Sequence, residues 1–299
     1  MALRRRRPRP QLPREVVPPV LPATVLVRPE VLDSIGLACG RARGLETGGP
    51  LIGTVQRSWE PGGERLIVAI LGTVSPGPGM RARSSSVALG APGDGERAAS
   101  ALRWWRTATG LALVHLGDWH MHPSGCCEPS VGDDRTAERM RRESDAPIWL
   151  TAIAGATDRR RHSLETKGNV VRLSSEGSAA LDIAFYREVG RTRLARMPIQ
   201  VESAAVPRLP ALPWHVADPL RFAVECRLLD AAGFKTAISS DGRAGLQLRL
   251  SRNGNAVTVM TGSGYPKEEP KLVDDRRLRT RGRGWASDRF IVDFVQEVC

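Results

Sequence analysis

Lysine is almost missing from this 299-residue chain; Lys167, Lys235, Lys267 and Lys271 are all it has. The net charge of +12 therefore rests on arginine, and much of it sits in two runs, Arg4–Arg7 and Arg276–Arg283. Runs of like charge are usually solvated segments. An arginine bias without lysine reads as genome composition as much as a phosphate-binding stripe, so nucleic-acid binding is not expected as the main function. Cysteine is also scarce. Cys39, Cys126, Cys127, Cys226 and Cys299 are odd in number and form no CxxC pair, which argues against a secreted disulfide scaffold. No apolar run approaches the ~18 residues of a membrane span. The N-terminus begins like the basic part of a signal peptide, but prolines interrupt every apolar stretch after it. A cytoplasmic protein with no membrane partner is the expectation, preceded by a disordered Pro/Arg-rich tail over residues 1–22.

What is present is enough apolar residue, 41%, to bury one large core or two ordinary ones, and the length favours about two domains. The first reads as residues 23–190. A strand at 24–28 and a helix over 30–42 lead into apolar runs at 50–58 and 65–75, joined by a Pro-Gly-Gly turn that suggests a hairpin. The stretch 76–95 reads as a loop around a short strand, 96–109 as a helix closed by Gly110, and LALVHLGDWHMH as a central strand. Trp104 and Trp105 fit the packing face of that helix. A second helix follows over 131–143, then strands at 146–155 and 180–188. Prolines then crowd the segment 191–219, which reads as a linker.

The chemistry concentrates at one place. His120 and His122 stand two apart on a strand, so both imidazoles leave the same face. Pro123 ends the strand, and the chain returns at Ser130, with Asp133 in the first turn of a helix. Two histidines and a carboxylate are three protein ligands, the number a catalytic zinc ion takes while keeping a position for water. Ser130-x-x-Asp133 is also a capping pattern; capping and ligation are compatible, since a cap would hold Asp133 rigidly. Such hydrolysis needs a proton carrier off the metal, usually a Glu, and Glu46 in LETGGPLIG is the candidate. His115 reads as a core or hydrogen-bonded histidine. Cys126 and Cys127 lack the spacing of a structural metal site.

ETGGPLIG followed by GDWHMHPSGCCEPSVGD resembles the JAB/MPN (JAMM) metalloprotease signature: an upstream Glu, His-x-His, seven residues, Ser, two residues, Asp. Glu46, His120, His122, Ser130 and Asp133 each match it, and the likeness covers roughly residues 22–190. It implies an α/β fold of the cytidine-deaminase-like kind, with a curved sheet flanked by helices. It also implies zinc on His120, His122 and Asp133, proton transfer by Glu46, and an oxyanion steadied by Ser130. The implied activity is cleavage of isopeptide or peptide bonds after the tail of ubiquitin or a ubiquitin-like protein. Met121 stands where many members have a small residue; it should point to the opposite strand face. The loop 76–90 would border a groove for an extended substrate tail.

Residues 220–299 have another pattern. A helix closed by Gly233 leads to strands at 246–250 and 256–260 around Asn253-Gly254-Asn255, then Tyr265-Pro266, Pro270, Trp285 and a last helix. This smaller α+β domain resembles the ubiquitin-conjugating-enzyme fold. That family's nucleophilic cysteine has no counterpart between Pro270 and Trp285, so a non-catalytic binding module is expected. The expected partners are a ubiquitin-like protein and its conjugates, with adenylating and conjugating enzymes of a bacterial pathway, of a kind linked to antiviral defence. The alternatives are a processing protease for a sulfur-carrier protein and a non-catalytic scaffold.

Overall fold

The structure is a computed structural model. It describes residues 21–42, 45–74, 81–82, 87–88, 94–144, 147–157, 165–167, 169–173, 180–189, 193–240, 245–274, 277–279 and 285–298. Residues 1–20 of the expected tail, Cys299 and most of the loop 76–90 lie outside these residues.

The chain opens with β1 (Ala23–Val27) and α1 (Pro29–Arg41), followed by the hairpin β2 (Gly48–Glu60) and β3 (Gly63–Thr73). Two short paired strands come next, β4 (Arg81–Ala82) and β5 (Val87–Ala88), where the sequence suggested one. Then follow α2 (Asp94–Thr109), β6 (Val114–His122), α3 (Val131–Glu143) and β7 (Leu150–Thr157). β8 (Glu165–Lys167), β9 (Val170–Leu173), β10 (Ala180–Glu188), β11 (Leu194–Arg196) and β12 (Ile199–Val201) complete the first sheet. Its ten strands run β12-β1-β3-β2-β6-β7-β10-β9-β8, with β11 on β10. The two end strands, β12 and β8, approach each other, so the sheet curves until it is nearly closed. β1 lies parallel to both β12 and β3, and β6 parallel to β7; the other pairs are antiparallel.

α1 fills the inside of that curve. Its apolar positions recur at helical spacing, so Val31, Leu32 and Ile35 point together into the core formed with Val25, Val68, Ile70 and Ile183. Leu32 and Ile35 are fully buried, which contributes roughly 1.5–3 kcal/mol each before chain entropy is set against it. α2 and α3 lie on the outer face, over separate cores. Trp105 and Ala101 pack with Ile52 and Leu71, and Ala137 packs with Trp149, Ile153 and Tyr186.

β6 decides what faces outward. Leu51 pairs with Gly117 but Ile52 pairs with His115, so β6 carries an extra residue. Such a bulge changes the parity of the strand's alternation. Leu116 faces the inner core before it; Trp119 and Met121 do so after it. Asp118, His120 and His122 therefore turn to the outer face. Only glycine fits the bulge. Gly117 has φ +147°, and a Cβ there would lie 1.8 Å from the Leu150 carbonyl oxygen. Met121 is buried on the opposite face from the histidines, as the strand period required.

The described part of the segment read as a linker, residues 193–219, is structured and mostly packed on the first unit. It supplies β11 and β12 to the large sheet, and Val206 and Val216 are buried against Ile52 and Trp105. Trp105 Nε1 also donates to the Pro210 carbonyl at 2.8 Å. α4 (Trp214–Ala217) is the joint: Val216 enters the core under α2, while Trp214 enters the core of the second unit. That unit comprises α5 (Pro219–Ala231), an antiparallel meander of β13 (Lys235–Ser240), β14 (Leu246–Arg252), β15 (Asn255–Thr261), β16 (Lys271–Asp274) and β17 (Arg277–Arg279), and α6 (Ile291–Val298). The Asn253-Gly254 turn between β14 and β15 has positive φ at both residues, the geometry that matches strand twist in a two-residue hairpin. The molecule is thus mixed α/β, with six helices among the described residues. None of the described helices is long and apolar enough to cross a membrane.

Candidate metal centre

Three elements meet at the outer end of β6. The strand presents His120 and His122, α3 presents Asp133 from its first turn, and the residues leading into β2 present Glu46. Gly48 pairs with His120 across the β2–β6 ladder, and the Met121 N–H donates to the Thr47 carbonyl at 2.7 Å. Continuing that register brings Glu46 beside His122.

The ligand-type atoms of His120, His122 and Asp133 all lie within 4.8 Å of one another. The two Nε2 atoms are 3.0 Å apart. Asp133 Oδ1 lies 3.1 Å from His120 Nε2, and Oδ2 lies 3.4 Å from His122 Nε2. Each imidazole thus aims the same nitrogen at one small volume, which the carboxylate closes. His122 is oriented from behind, with Nδ1 3.0 Å from the Cys126 carbonyl oxygen. A backbone acceptor on Nδ1 leaves Nε2 with its lone pair free for a metal. This donor set fits a divalent metal ion with nitrogen and oxygen preferences, and the group could hold one.

Asp133 does two jobs. The Ser130 N–H donates to its Oδ2 at 2.6 Å, and the Asp133 N–H donates to Ser130 Oγ at 3.3 Å, a complete capping box. The cap fixes the carboxylate on the side where the histidines wait. Burial opposes its charge, but hydrogen bonds from His120 and His122, the positive field of His120 and the Ser130 N–H hold the carboxyl well below the usual range. In return, the bond to Asp133 pushes the His122 imidazole up, against the opposing effect of burial. Glu46 is different. Burial pushes its carboxyl up, with His120 and His122 pulling the other way and Asp133 adding to the rise. A carboxyl with a raised pKa beside a metal-type site is suited to take and return a proton.

The nearby residues divide plainly. His115 Nε2 lies 3.1 Å from Asp118 Oδ1 and its ring packs edge-on to Trp149, so it is a hydrogen-bonded structural histidine. The loop cysteines serve through their backbone. The Cys126 carbonyl meets His122 and the Cys127 carbonyl accepts from Tyr186 OH at 2.8 Å. Tyr186 and Arg196 border the loop and Glu128 lies in it; the one signal the sequence offered was scarcity, since Tyr186 is one of two tyrosines.

No protein-family model matches the chain, and no curated protein matches it. Among solved structures, the solution structure of protein DSY2949 from Desulfitobacterium hafniense is similar over 60% of this chain and 93% of that one. The identity is 14% and the TM-score 0.35, a likeness that carries no argument about site or chemistry.

Proposed function

We propose that the chain is a zinc-dependent peptidase of the JAB/MPN kind, acting on a peptide or isopeptide bond after the C-terminal tail of a ubiquitin-like protein. The observation that carries the reading is the convergence of His120, His122 and Asp133 on one point, with Glu46 close enough for its carboxyl to feel all three. His120, His122 and Asp133 would hold the ion. Bound zinc supplies Lewis-acid activation of water and of a carbonyl group.

The remaining work falls to the chain's own groups. Glu46, off the metal and partly buried, accepts a proton from the attacking water and returns it to the departing amine. Ser130 spends its oxygen's lone pair on the Asp133 N–H, so its hydroxyl hydrogen can be directed to the carbonyl oxygen as negative charge develops there. The Thr47–Met121 hydrogen bond keeps Glu46 in step with the histidine strand. The second unit, with its own sheet and helices and Cys226 on α5, serves in this reading as a non-catalytic module of the ubiquitin-conjugating kind that brings in a partner of the same bacterial pathway.

The test uses zinc-loaded full chain and two probes, a ubiquitin-like domain extended by a linear peptide and the same domain on a lysine side chain. Cleavage after the terminal glycine that disappears in Glu46→Gln supports the reading and names the bond. Loss of zinc binding to the wild type, or cleavage undiminished in Glu46→Gln, overturns it.

A further inference from the structure

The loop between the two histidines and the helix that carries Asp133 has no secondary structure of its own, yet His122 depends on it for orientation. Three contacts hold it. Its backbone lies directly on β7: a Cβ on Gly155 would come within 2.5 Å of the Gly125 carbonyl oxygen. The other two come from the β10–β11 hairpin. Tyr186, on β10, is buried and donates its hydroxyl to the Cys127 carbonyl at 2.8 Å. Arg196, on β11, donates from Nη2 to the Tyr186 oxygen at 2.9 Å and to the Glu128 carboxylate. The guanidinium also lies over the Tyr186 ring, 5.5 Å from its centroid. The same hairpin reaches the other bank of the site, where the Leu194 N–H donates to Asp134 Oδ1 at 2.9 Å, one residue from the ligand Asp133.

We propose that Tyr186, with Arg196 and Glu128, is a positioning device for the metal centre: it fixes the 123–129 loop so that the Cys126 carbonyl holds His122 with Nε2 toward the metal. The inference rests on the metal-centre reading above. The hydroxyl suits the task. Accepting from an arginine polarises an O–H and strengthens its donation to the carbonyl beyond. Burial pushes the phenol up to about 12, against the pull of Arg196, so it keeps the proton it donates. The chain of contacts is short: Arg196 to Tyr186 OH, to the Cys127 carbonyl, whose neighbouring Cys126 carbonyl meets His122 Nδ1 at 3.0 Å. Partners of this kind behind a ligating histidine commonly matter 10- to 100-fold for metal affinity; acting one peptide away, Tyr186 belongs at the lower end, about 10-fold.

Tyr186→Phe keeps the ring and removes only the hydroxyl. The second tyrosine is a matched control, since Tyr265 is also buried and hydroxyl-bonded, but in the other sheet's core. The measurement is zinc affinity and zinc release of the full chain by competition with a chromophoric chelator, alongside thermal melting. The expected result is about 10-fold weaker zinc binding and faster release in Tyr186→Phe, with Tyr265→Phe binding zinc like the wild type even where it melts earlier. Glu128→Gln, at an exposed position that threatens no core, should weaken binding in the same direction and decides the matter if Tyr186→Phe does not fold. Affinity and release unchanged in both variants would overturn the proposal. Wild type that binds no zinc, or His120→Ala that binds it equally well, would instead sink the metal-centre reading.

Discussion

Each of the two sheets buries a cluster of polar side chains, and the clusters end differently. In the small unit, Glu225 is fully buried. Its Oε1 accepts from Arg221 Nε at 2.8 Å and from the Tyr265 hydroxyl, and its Oε2 accepts from the Ile291 N–H at 2.8 Å. Every bond returns to the chain, and the cluster staples α5 to α6. In the large unit, the bonds around His122 and Asp133 come from behind, through the Cys126 carbonyl and the Ser130 N–H, while the fronts of all three side chains face one another. A structural network closes on itself. His120, His122 and Asp133 are instead held from outside and aim their ligand-type atoms at one small volume.

Substitutions at the two clusters should separate these behaviours. Glu225→Ala leaves Arg221 inside without its counter-charge, and breaking such a pair costs about 3–5 kcal/mol. Chemical denaturation should show the small unit unfolding early while zinc content stays at the wild-type level. Glu46→Gln should do the reverse, keeping stability and zinc while turnover falls by about 10²–10⁴-fold; steady-state kinetics on the zinc-loaded protein checks this. Ser130→Ala sits between the two kinds. It should lose about 1 kcal/mol of helix cap and, if Ser130 is the oxyanion donor proposed above, about 10²–10³-fold in kcat with it.

The smallest effect is in pH. Asp133 raises His122 above the ordinary histidine value of about 6.5. In metal-free protein that stabilisation is complete below the ordinary value and is lost as pH rises through the raised one. Zinc binds only the deprotonated imidazole, so zinc-loaded protein should gain stability over the same interval. Melting curves of the two forms between pH 5 and about 8 should therefore slope in opposite senses. Parallel slopes would mean that His122 is not a ligand.

Where the sequence was read well, the signals were local. α3 occupies residues 131–143 as expected because Ser130 and Asp133 mark its start within one turn. β10 matches its apolar run from 180 to 188. His120 and His122 could be placed on one face because the strand period is two and no further irregularity follows Gly117. The missed features depend on distant partners. β12 is three residues long and pairs with β1 at the other end of the unit, so the flanking Pro198 and Pro207 spoke louder than its pairing. The bulge in β6 arises from its registration against β2, and only Gly117 hinted at it. Tyr186 and Arg196 meet Cys127 and Glu128 of the 123–129 loop across 59 and 68 residues of sequence, and nothing in their own neighbourhood points there.

If His120, His122 and Asp133 are metal ligands, as proposed, the zinc content of the folded protein will show it. Purified full chain, and His120→Ala beside it, would be stripped, reloaded with zinc, desalted and analysed by elemental measurement. Metal ligation by these three residues requires close to one zinc per wild-type chain and essentially none in the variant, with both proteins folded. A folded wild type that keeps no zinc, or a variant that keeps as much, would contradict it.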